Sequence, residues 1–192
     1  GTGSNRDLFI SLLDEDGVWQ WTKTAGGSNG YGDEPGGLAV DSQSNIYIAG
    51  SFVGDITLGP FSFAGDGNFD GFIAKLTPEG SWAFANHIGG NYNQEPMQLS
   101  IHNDDGVIVY GEYTRQAVFD SVNISTDGHV DVFVAKVELS GAWGWVSSAG
   151  GPDRDDASAV DVDSSGNILV AGRFRGEATF GPHSLESPVH ME

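Results

Sequence analysis

The sequence repeats itself three times with a period of about 62 residues, and this repetition constrains the fold more than any other feature. Segments beginning at Asp7, Asp70 and Asp131 align at offsets of 63 and then 61 residues, and the double glycines that follow them keep those offsets. In such architectures each unit buries its apolar face against the next unit. We therefore predict one continuous repeat domain, with repeats at residues 7–69, 70–130 and 131–192 after a short N-terminal linker at residues 1–6.

Every repeat has the residue pattern of β-strands. Residues 72–76 form a short run rich in β-formers, and residues 77–80, Thr-Pro-Glu-Gly, supply the chemistry of a tight hairpin turn. No segment shows the spacing of a helix. Residues 56–63 alternate weakly and contain Gly59-Pro60, which predicts a short edge strand or a bulged ribbon.

Tryptophan recurs at equivalent positions of the repeat. The spacing of two in Trp19 and Trp21, and again in Trp143 and Trp145, places both indoles on one face of a strand. We expect that face to be buried, with Trp82 in the same role. Stacking on sugars is the alternative, but a Trp that recurs in each repeat favours packing between sheets.

A repeat of about four strands, with glycine at the turns and aromatic residues on one face, predicts a β-propeller-type blade and an all-β fold. Closed propellers hold between about four and eight blades, whereas this chain has three repeats. If residues 38–41 end the innermost strand, residues 38–88 and 99–148 are complete blades, and residues 7–24 and 160–174 are two halves. Two alternatives stay open: a larger parent ring, or a six-bladed ring closed by two copies that exchange ends.

The repeat resembles the bacterial β-propeller repeat family called SBBP. The likeness lies in residues 70–90, with their Asp-Gly-Phe-Ile-Ala-Lys start and their final double glycine, in residues 160–172, and in their counterparts. The middle copy departs at Asn103 to Val107 and at Gly111, which stands where alanine is usual. The resemblance implies a noncatalytic scaffold or adhesion module of a secreted or cell-surface protein.

The chain carries a formal charge of -19, from 27 acidic and 8 basic residues. Nucleic acids and anionic membranes would be repelled, so we expect neither as a partner. The acidic excess indicates either a solvated surface or binding of divalent cations. The absence of cysteine excludes disulfides and thiol chemistry.

Calcium is the one cofactor that the sequence suggests. An Asp-Gly-x-x-Asp spacing joins Asp66 to Asp70 and Asp127 to Asp131, and it can direct two carboxylates at one cation. The first repeat keeps only Asp7. A structural role, in which the final Asp accepts backbone hydrogen bonds, is the favoured alternative.

The variable loops that follow the double glycines are the predicted recognition surface for an extracellular glycan or protein, although simply solvated loops would have the same composition. Their candidate binding residues are Tyr31, Asp33, Tyr92, Asp153, Asp155 and Asp156.

Catalysis has no support in the sequence. The five histidines occupy different positions of the repeat, and none belongs to a triad or metal motif. We therefore predict a noncatalytic structural or interaction module, completed as a homodimer or by neighbouring repeats of a parent chain. A calcium-assisted lectin or adhesin is the alternative function.

Overall fold

The structure is a computed structural model that describes residues 6–27, 32–66, 68–103, 105–126 and 128–187. These residues form eighteen β-strands and no helix, which confirms the predicted all-β fold. With no helix among them, none of the described segments is a helical membrane span.

Each repeat contributes six strands. The first holds β1 (Leu8–Leu13), β2 (Trp19–Ala25), β3 (Glu34–Val40), β4 (Ile46–Phe52), β5 (Asp55–Leu58) and β6 (Phe61–Ala64). The second holds β7 (Asp70–Leu76), β8 (Trp82–Ile88), β9 (Gln94–Ile101), β10 (Gly106–Tyr113), β11 (Gln116–Phe119) and β12 (Val122–Ser125). The third holds β13 (Asp131–Glu138), β14 (Trp143–Ala149), β15 (Asp156–Val162), β16 (Ile168–Arg173), β17 (Glu177–Phe180) and β18 (His183–Glu186).

Two four-stranded antiparallel sheets form the centre of the molecule. Blade A has the order β3-β4-β7-β8 and blade B the order β9-β10-β13-β14. In blade A, Ile46 pairs with Leu76 and Phe52 with Asp70; in blade B, Val107 pairs with Val137 and Tyr113 with Asp131 at the equivalent places. Strands β4 and β10 are buried along their whole length because they lie inside a sheet that is covered on both faces.

A two-stranded hairpin lies between the second and third strands of each blade. Strands β5–β6, β11–β12 and β17–β18 form these hairpins as separate sheets, so the expectation of an edge strand or bulged ribbon at residues 56–63 was wrong. Two-residue turns close them, and the first turn residue has positive φ: +61° at Gly59, +54° at Asp120 and +57° at Gly181. Such turns match the twist of paired strands, which lets ten residues form their own hairpin.

The double glycines join each blade to the hairpin of the next. Gly26 pairs with Thr57, Gly89 with Val118 and Gly150 with Thr179 in isolated antiparallel bridges. A Cβ atom on the second glycine would overlap a carbonyl oxygen of that hairpin: Asp55 for Gly27, Gln116 for Gly90 and Glu177 for Gly151. Glycine is therefore required because the two backbones touch.

The largest buried cluster lies between blades A and B. Tyr47 and Phe84 pack at 6.3 Å between ring centroids, and Phe119 packs edge-on against Phe133 at 5.1 Å. Leu99 of β9 completes the contact. Apolar packing between neighbouring sheets, as the repeat period predicted, supplies the core.

The two ends of the chain form half-blades that do not pair with each other. The first half-blade is the sheet β1–β2, and the last half-blade is the sheet β15–β16 with its hairpin β17–β18. By repeat position, β1 corresponds to β7, and β16 corresponds to β4. Strands β4 and β7 are paired in blade A, whereas β1 and β16 each have an edge without a partner strand among the described residues.

Candidate functional site

The aspartates of the predicted calcium motif make local contacts. The backbone N–H of Asp66 donates to Oδ2 of Asp70 at 3.2 Å, and Nε2 of His87 lies 2.7 Å from the same oxygen. The other oxygen of Asp70, Oδ1, is buried and accepts no hydrogen bond from the described residues.

Asp131 is buried beside the backbone of Gly128 and Gly150. Asp127 lies outside the described residues. Among those that are described, no three His, Cys, Asp or Glu residues gather in a metal-binding arrangement.

Two of the predicted rim residues point inward. Asp155 is 1% exposed, and its carboxylate accepts the N–H of Gly151 at 2.8 Å and of Arg175 at 3.3 Å. Asp33 has the equivalent position and is also buried. Burial, and then the neighbouring Asp7, raise the pKa of Asp33 to about 6, and burial likewise raises the pKa of Asp155. Gln94 fills this position in the middle repeat.

The remaining rim candidates are more exposed. Asp153 is exposed beside Gly176, whereas Asp156 forms ion pairs with Arg154 and with Arg173, the latter at 3.6 Å. Tyr92 is 37% exposed, and the guanidinium of Arg115 lies 4.8 Å from its ring centroid. Tyr31 lies outside the described residues. The five described candidates thus differ in their surroundings: two carboxylates are buried, and the other three side chains are partly or fully exposed.

A groove of about 670 Å³ runs between β8 and the hairpin β11–β12, next to the loop that follows Gly90. Polar and aromatic side chains share its lining, among them His87, Asn91, Asp120, Ser121 and Trp143. His87 stacks on Phe63, with ring centroids 5.5 Å apart. The sequence analysis did not single out His87 as a site residue. The repeat alignment distinguishes it, because the other two repeats have Thr24 and Ser148 at the equivalent positions.

The tryptophans are only partly buried, contrary to expectation. Trp143 packs edge-on against Phe119 at 5.0 Å, and Trp21 donates its indole N–H to the carbonyl of Pro78 at 3.0 Å. Trp19, however, is 62% exposed and Trp145 is 39% exposed. Trp19 lies on β2 of the first half-blade, and Trp145 lies on β14, the last strand of blade B.

An apolar face surrounds the open edge of the first half-blade. A cavity of about 320 Å³ lies between β1 and β3, lined mainly by aliphatic and aromatic side chains such as Leu8, Leu13, Trp19 and Leu38. Phe9, the second residue of β1, is 71% exposed. Exposed apolar side chains thus lie next to the free edge of β1, whose other edge pairs with β2.

The last half-blade presents a second face of the same kind. A cavity of about 330 Å³ is lined by Val132 and Tyr110 of blade B and by Val170, Phe174 and Leu185 of the last half-blade. Leu169 and Val170 of β16 are exposed, although their counterparts in β4 and β10 are buried. By repeat position, the first half-blade corresponds to the strand pair β7–β8 of blade A, and the last half-blade corresponds to the pair β3–β4.

The fold and these faces define a protein built from β-propeller-type blades, with a half-blade at each end of the repeat array. The family model of SBBP, described as a beta-propeller repeat, matches residues 20–51, which run from β2 into β4. This match confirms the resemblance inferred from the repeat motifs.

One similar protein is the regulatory protein FlaEY of Caulobacter vibrioides, strain ATCC 19089 / CIP 103742 / CB 15. It is 27% identical over 115 residues, which make up 58% of this chain and 12% of that protein. The matched part is therefore a small portion of a much longer relative.

Proposed function

We propose that this protein is a noncatalytic interaction module of a secreted or cell-surface bacterial protein, which associates by adding β-strands at the edges of β1 and β16. The observation that carries the proposal is the pair of open half-blades. Within the part of the chain that the structure describes, neither half-blade has the strand pair that completes its counterpart in blades A and B, and each exposes apolar side chains beside the free edge.

Strand addition satisfies two physical demands at once. The backbone N–H and C=O groups of an edge strand gain hydrogen-bond partners, and apolar side chains beside it leave water. Burial of a large apolar side chain contributes about 1.5–3 kcal/mol, so Phe9 and Trp19 alone would stabilise an interface substantially.

The histidine–carboxylate contacts support a structural role in place of catalysis. His87 pairs with Asp70 and stacks on Phe63. His102 uses both ring nitrogens for structure: Nδ1 lies 2.7 Å from Asp105, and Nε2 lies 3.2 Å from the carbonyl of Gly166. A ring with both nitrogens engaged is poorly placed to exchange protons with a substrate.

The first experiment is the solution mass of the chain by light scattering after size exclusion, over a range of protein concentrations. We expect an assembly larger than the 20.2 kDa monomer at micromolar concentration. A chain that stays monomeric up to about millimolar concentration, where even weak complexes with a Kd near 1 mM form, would overturn the proposal.

Calcium-assisted recognition of a glycan is the second candidate. Two observations favour it: the groove at Asn91 and Trp143 combines polar and aromatic side chains, and two buried oxygens, Oδ1 of Asp70 and Oε1 of Gln94, accept no hydrogen bond from the described residues. Glycan arrays with calcium and with a chelator test it. Calcium-dependent binding that Asn91→Ala weakens and the exposed-turn variant Ser140→Ala does not would support this function.

A further inference from the structure

We propose that the groove between β8 and the hairpin β11–β12 binds an extended, basic segment of a partner protein. The segment adds to the outer edge of β8, and one of its Lys or Arg side chains pairs with Asp120. The residues that line the groove all lie between positions 63 and 143. The site is therefore built by blades A and B with their hairpins, and the half-blades take no part in it.

The groove surrounds the outer edge of β8. This strand is the last one of blade A, and its outer edge has no partner strand among the described residues. Successive residues of a strand point to opposite faces, yet Asn86 and His87 both line the groove. The amide of Asn86 donates to the carbonyl of Gly141 in blade B, whereas His87 stacks on Phe63 of the hairpin β5–β6. The groove thus reaches both faces of the sheet around this edge.

An open strand edge inside a groove suits an extended peptide. The peptide backbone pairs with N–H and C=O groups of the edge strand, and its alternate side chains enter the groove on either face of the sheet. The walls offer apolar contacts at Trp143 and Phe119 and amide groups at Asn91 and Gln116. The volume of about 670 Å³ lies within the range of about 300–1,000 Å³ that is usual for ligand sites, so the groove has room for side chains of a short segment.

The charges of the groove favour a basic segment. Asp66 and Asp120 are exposed in its lining, and neither carboxylate forms an ion pair or accepts a hydrogen bond from a described residue. Among the described residues that line the groove, none is Lys or Arg, and His87 contacts the buried Asp70. Unpaired carboxylates in a concave surface attract cations and repel acidic ligands. The formal charge of -19 on the whole chain acts in the same direction.

The middle repeat differs from the other two at the turn that borders the groove. Asp120 and Ser121 form this turn, whereas residues 59–60 and 181–182 of the other hairpins are both Gly-Pro. The first residue of all three turns has positive φ, which glycine adopts more readily than aspartate. The backbone of the turn thus favours glycine, and the aspartate gives this groove a carboxylate that the equivalent hairpins lack.

Peptide titration followed by two-dimensional NMR tests the site on the full chain. The probe is the peptide Thr-Lys-Val-Lys-Val-Lys-Thr, and two matched peptides carry Gln or Glu in place of every Lys. We expect the basic probe to shift the amide signals of residues 85–87 and 116–121, the Gln peptide to bind about threefold more weakly or less, and the Glu peptide to leave these signals unchanged. Equal affinity for the Lys and Glu peptides would overturn the proposal.

Asp120→Gly is the matched variant, because glycine is the residue that the other two hairpins have at this φ. It should keep the stability of the parent in urea denaturation and weaken binding of the basic probe about two- to fivefold, the effect of one exposed ion pair. Asp16→Asn changes an exposed carboxylate in the turn between β1 and β2, and it should leave the dissociation constant unchanged. Equal affinity of Asp120→Gly and the parent would contradict the pairing with Asp120.

Strand addition has its own test. A probe with Pro in place of both Val residues keeps its charge but loses backbone donors and strand geometry, so we expect about tenfold weaker binding. Undiminished binding would show attraction by charge alone and refute strand addition at β8.

Two further outcomes would also overturn the proposal: no shifts at residues 85–87 up to about 1 mM basic probe, or a neutral oligosaccharide that shifts these signals when the probe does not. The second outcome would support the glycan function instead. Neither result bears on the solution mass, so the proposed association through the half-blades would stand or fall separately.

Discussion

Gly27 lies directly against the backbone carbonyl oxygen of Asp55, so close that the two groups leave no room for a Cβ atom. Gly90 meets Gln116, and Gly151 meets Glu177, in the same way. The double glycine of every repeat is thus a docking point between one blade and the hairpin of the next. The double glycine recurs in the sequence because each copy makes this backbone contact between blades, whatever its role in a local turn.

Substitution of Gly27 should therefore destabilise the array. We expect Gly27→Ala to lower the free energy of unfolding by about 1–3 kcal/mol, because the added methyl group forces the hairpin away from the blade. The measurement is urea denaturation. Gly144→Ala is the matched control, since its nearest neighbour is the flexible end of the Glu138 side chain. Equal losses in the two variants would contradict the docking role.

Asp41 should stabilise the turn between β3 and β4. Its carboxylate accepts the backbone N–H groups of Gln43 and Asn45 and the side-chain amide of Asn45, at 2.8–3.0 Å. Burial opposes ionisation, but these hydrogen bonds and nearby Lys75 hold the pKa of Asp41 below its ordinary value of 3.8. Asp41→Asn should cost about 1–3 kcal/mol at pH 7 in urea denaturation.

Asp163 provides the internal comparison for Asp41. It accepts the same pattern of hydrogen bonds from Ser165 and Asn167, but it is more exposed to solvent than the buried Asp41. We expect Asp163→Asn to cost clearly less than Asp41→Asn, because water replaces the lost hydrogen bonds there. A larger loss at Asp163 would show that burial of Asp41 does not determine its contribution.

Asp33 should make the protein less stable as pH rises. Its folded pKa of about 6 exceeds the ordinary value of 3.8, so the folded state favours the protonated carboxyl. The stability that protonation contributes is fully present below pH 3.8 and is lost as pH rises through about 6, by at most about 3 kcal/mol.

Asp33→Asn tests this linkage through urea denaturation between pH 4 and pH 7.5. We expect the variant to equal or exceed the parent in stability at pH 7.5 and to lose part of the parent's gain on acidification. Asp33→Gln, which copies Gln94 of the middle repeat, should behave alike. Parallel stability curves for the variant and the parent would show that Asp33 does not cause the pH dependence.

Salt should strengthen the association between copies. Each chain carries a formal charge of -19, so two copies repel each other until ions screen the repulsion. Raising sodium chloride from about 50 to about 500 mM should lower the dimer dissociation constant several-fold in analytical ultracentrifugation. Weaker association at high salt would instead indicate an interface dominated by ion pairs, and not by the apolar faces at Phe9 and Leu169.

Tertiary contacts decided several features that local patterns left open. Residues 56–63 alternate too weakly to indicate a separate hairpin, and the hairpin is held by its bridge to Gly26 in the preceding strand pair. The acidic loops predicted Asp33 and Asp155 as surface residues, but both carboxylates lie inside, where burial raises their pKa values. Hydrophilic composition could not show which of several neighbouring aspartates points inward.

The sequence by itself determined the repeat, its strand content and the positions of the blades, because residues with equal spacing along the chain meet equal surroundings in a repeat fold. The offsets of 63 and 61 residues carry that information without any knowledge of contacts. Only the tertiary structure decided that Gly80 and Gly59 pack against the indoles of Trp21 and Trp82. The equivalent glycines, Gly17 and Gly181, have no such contact among the described residues. That difference depends on whether a neighbouring strand pair is present, which the residues of any one repeat cannot specify.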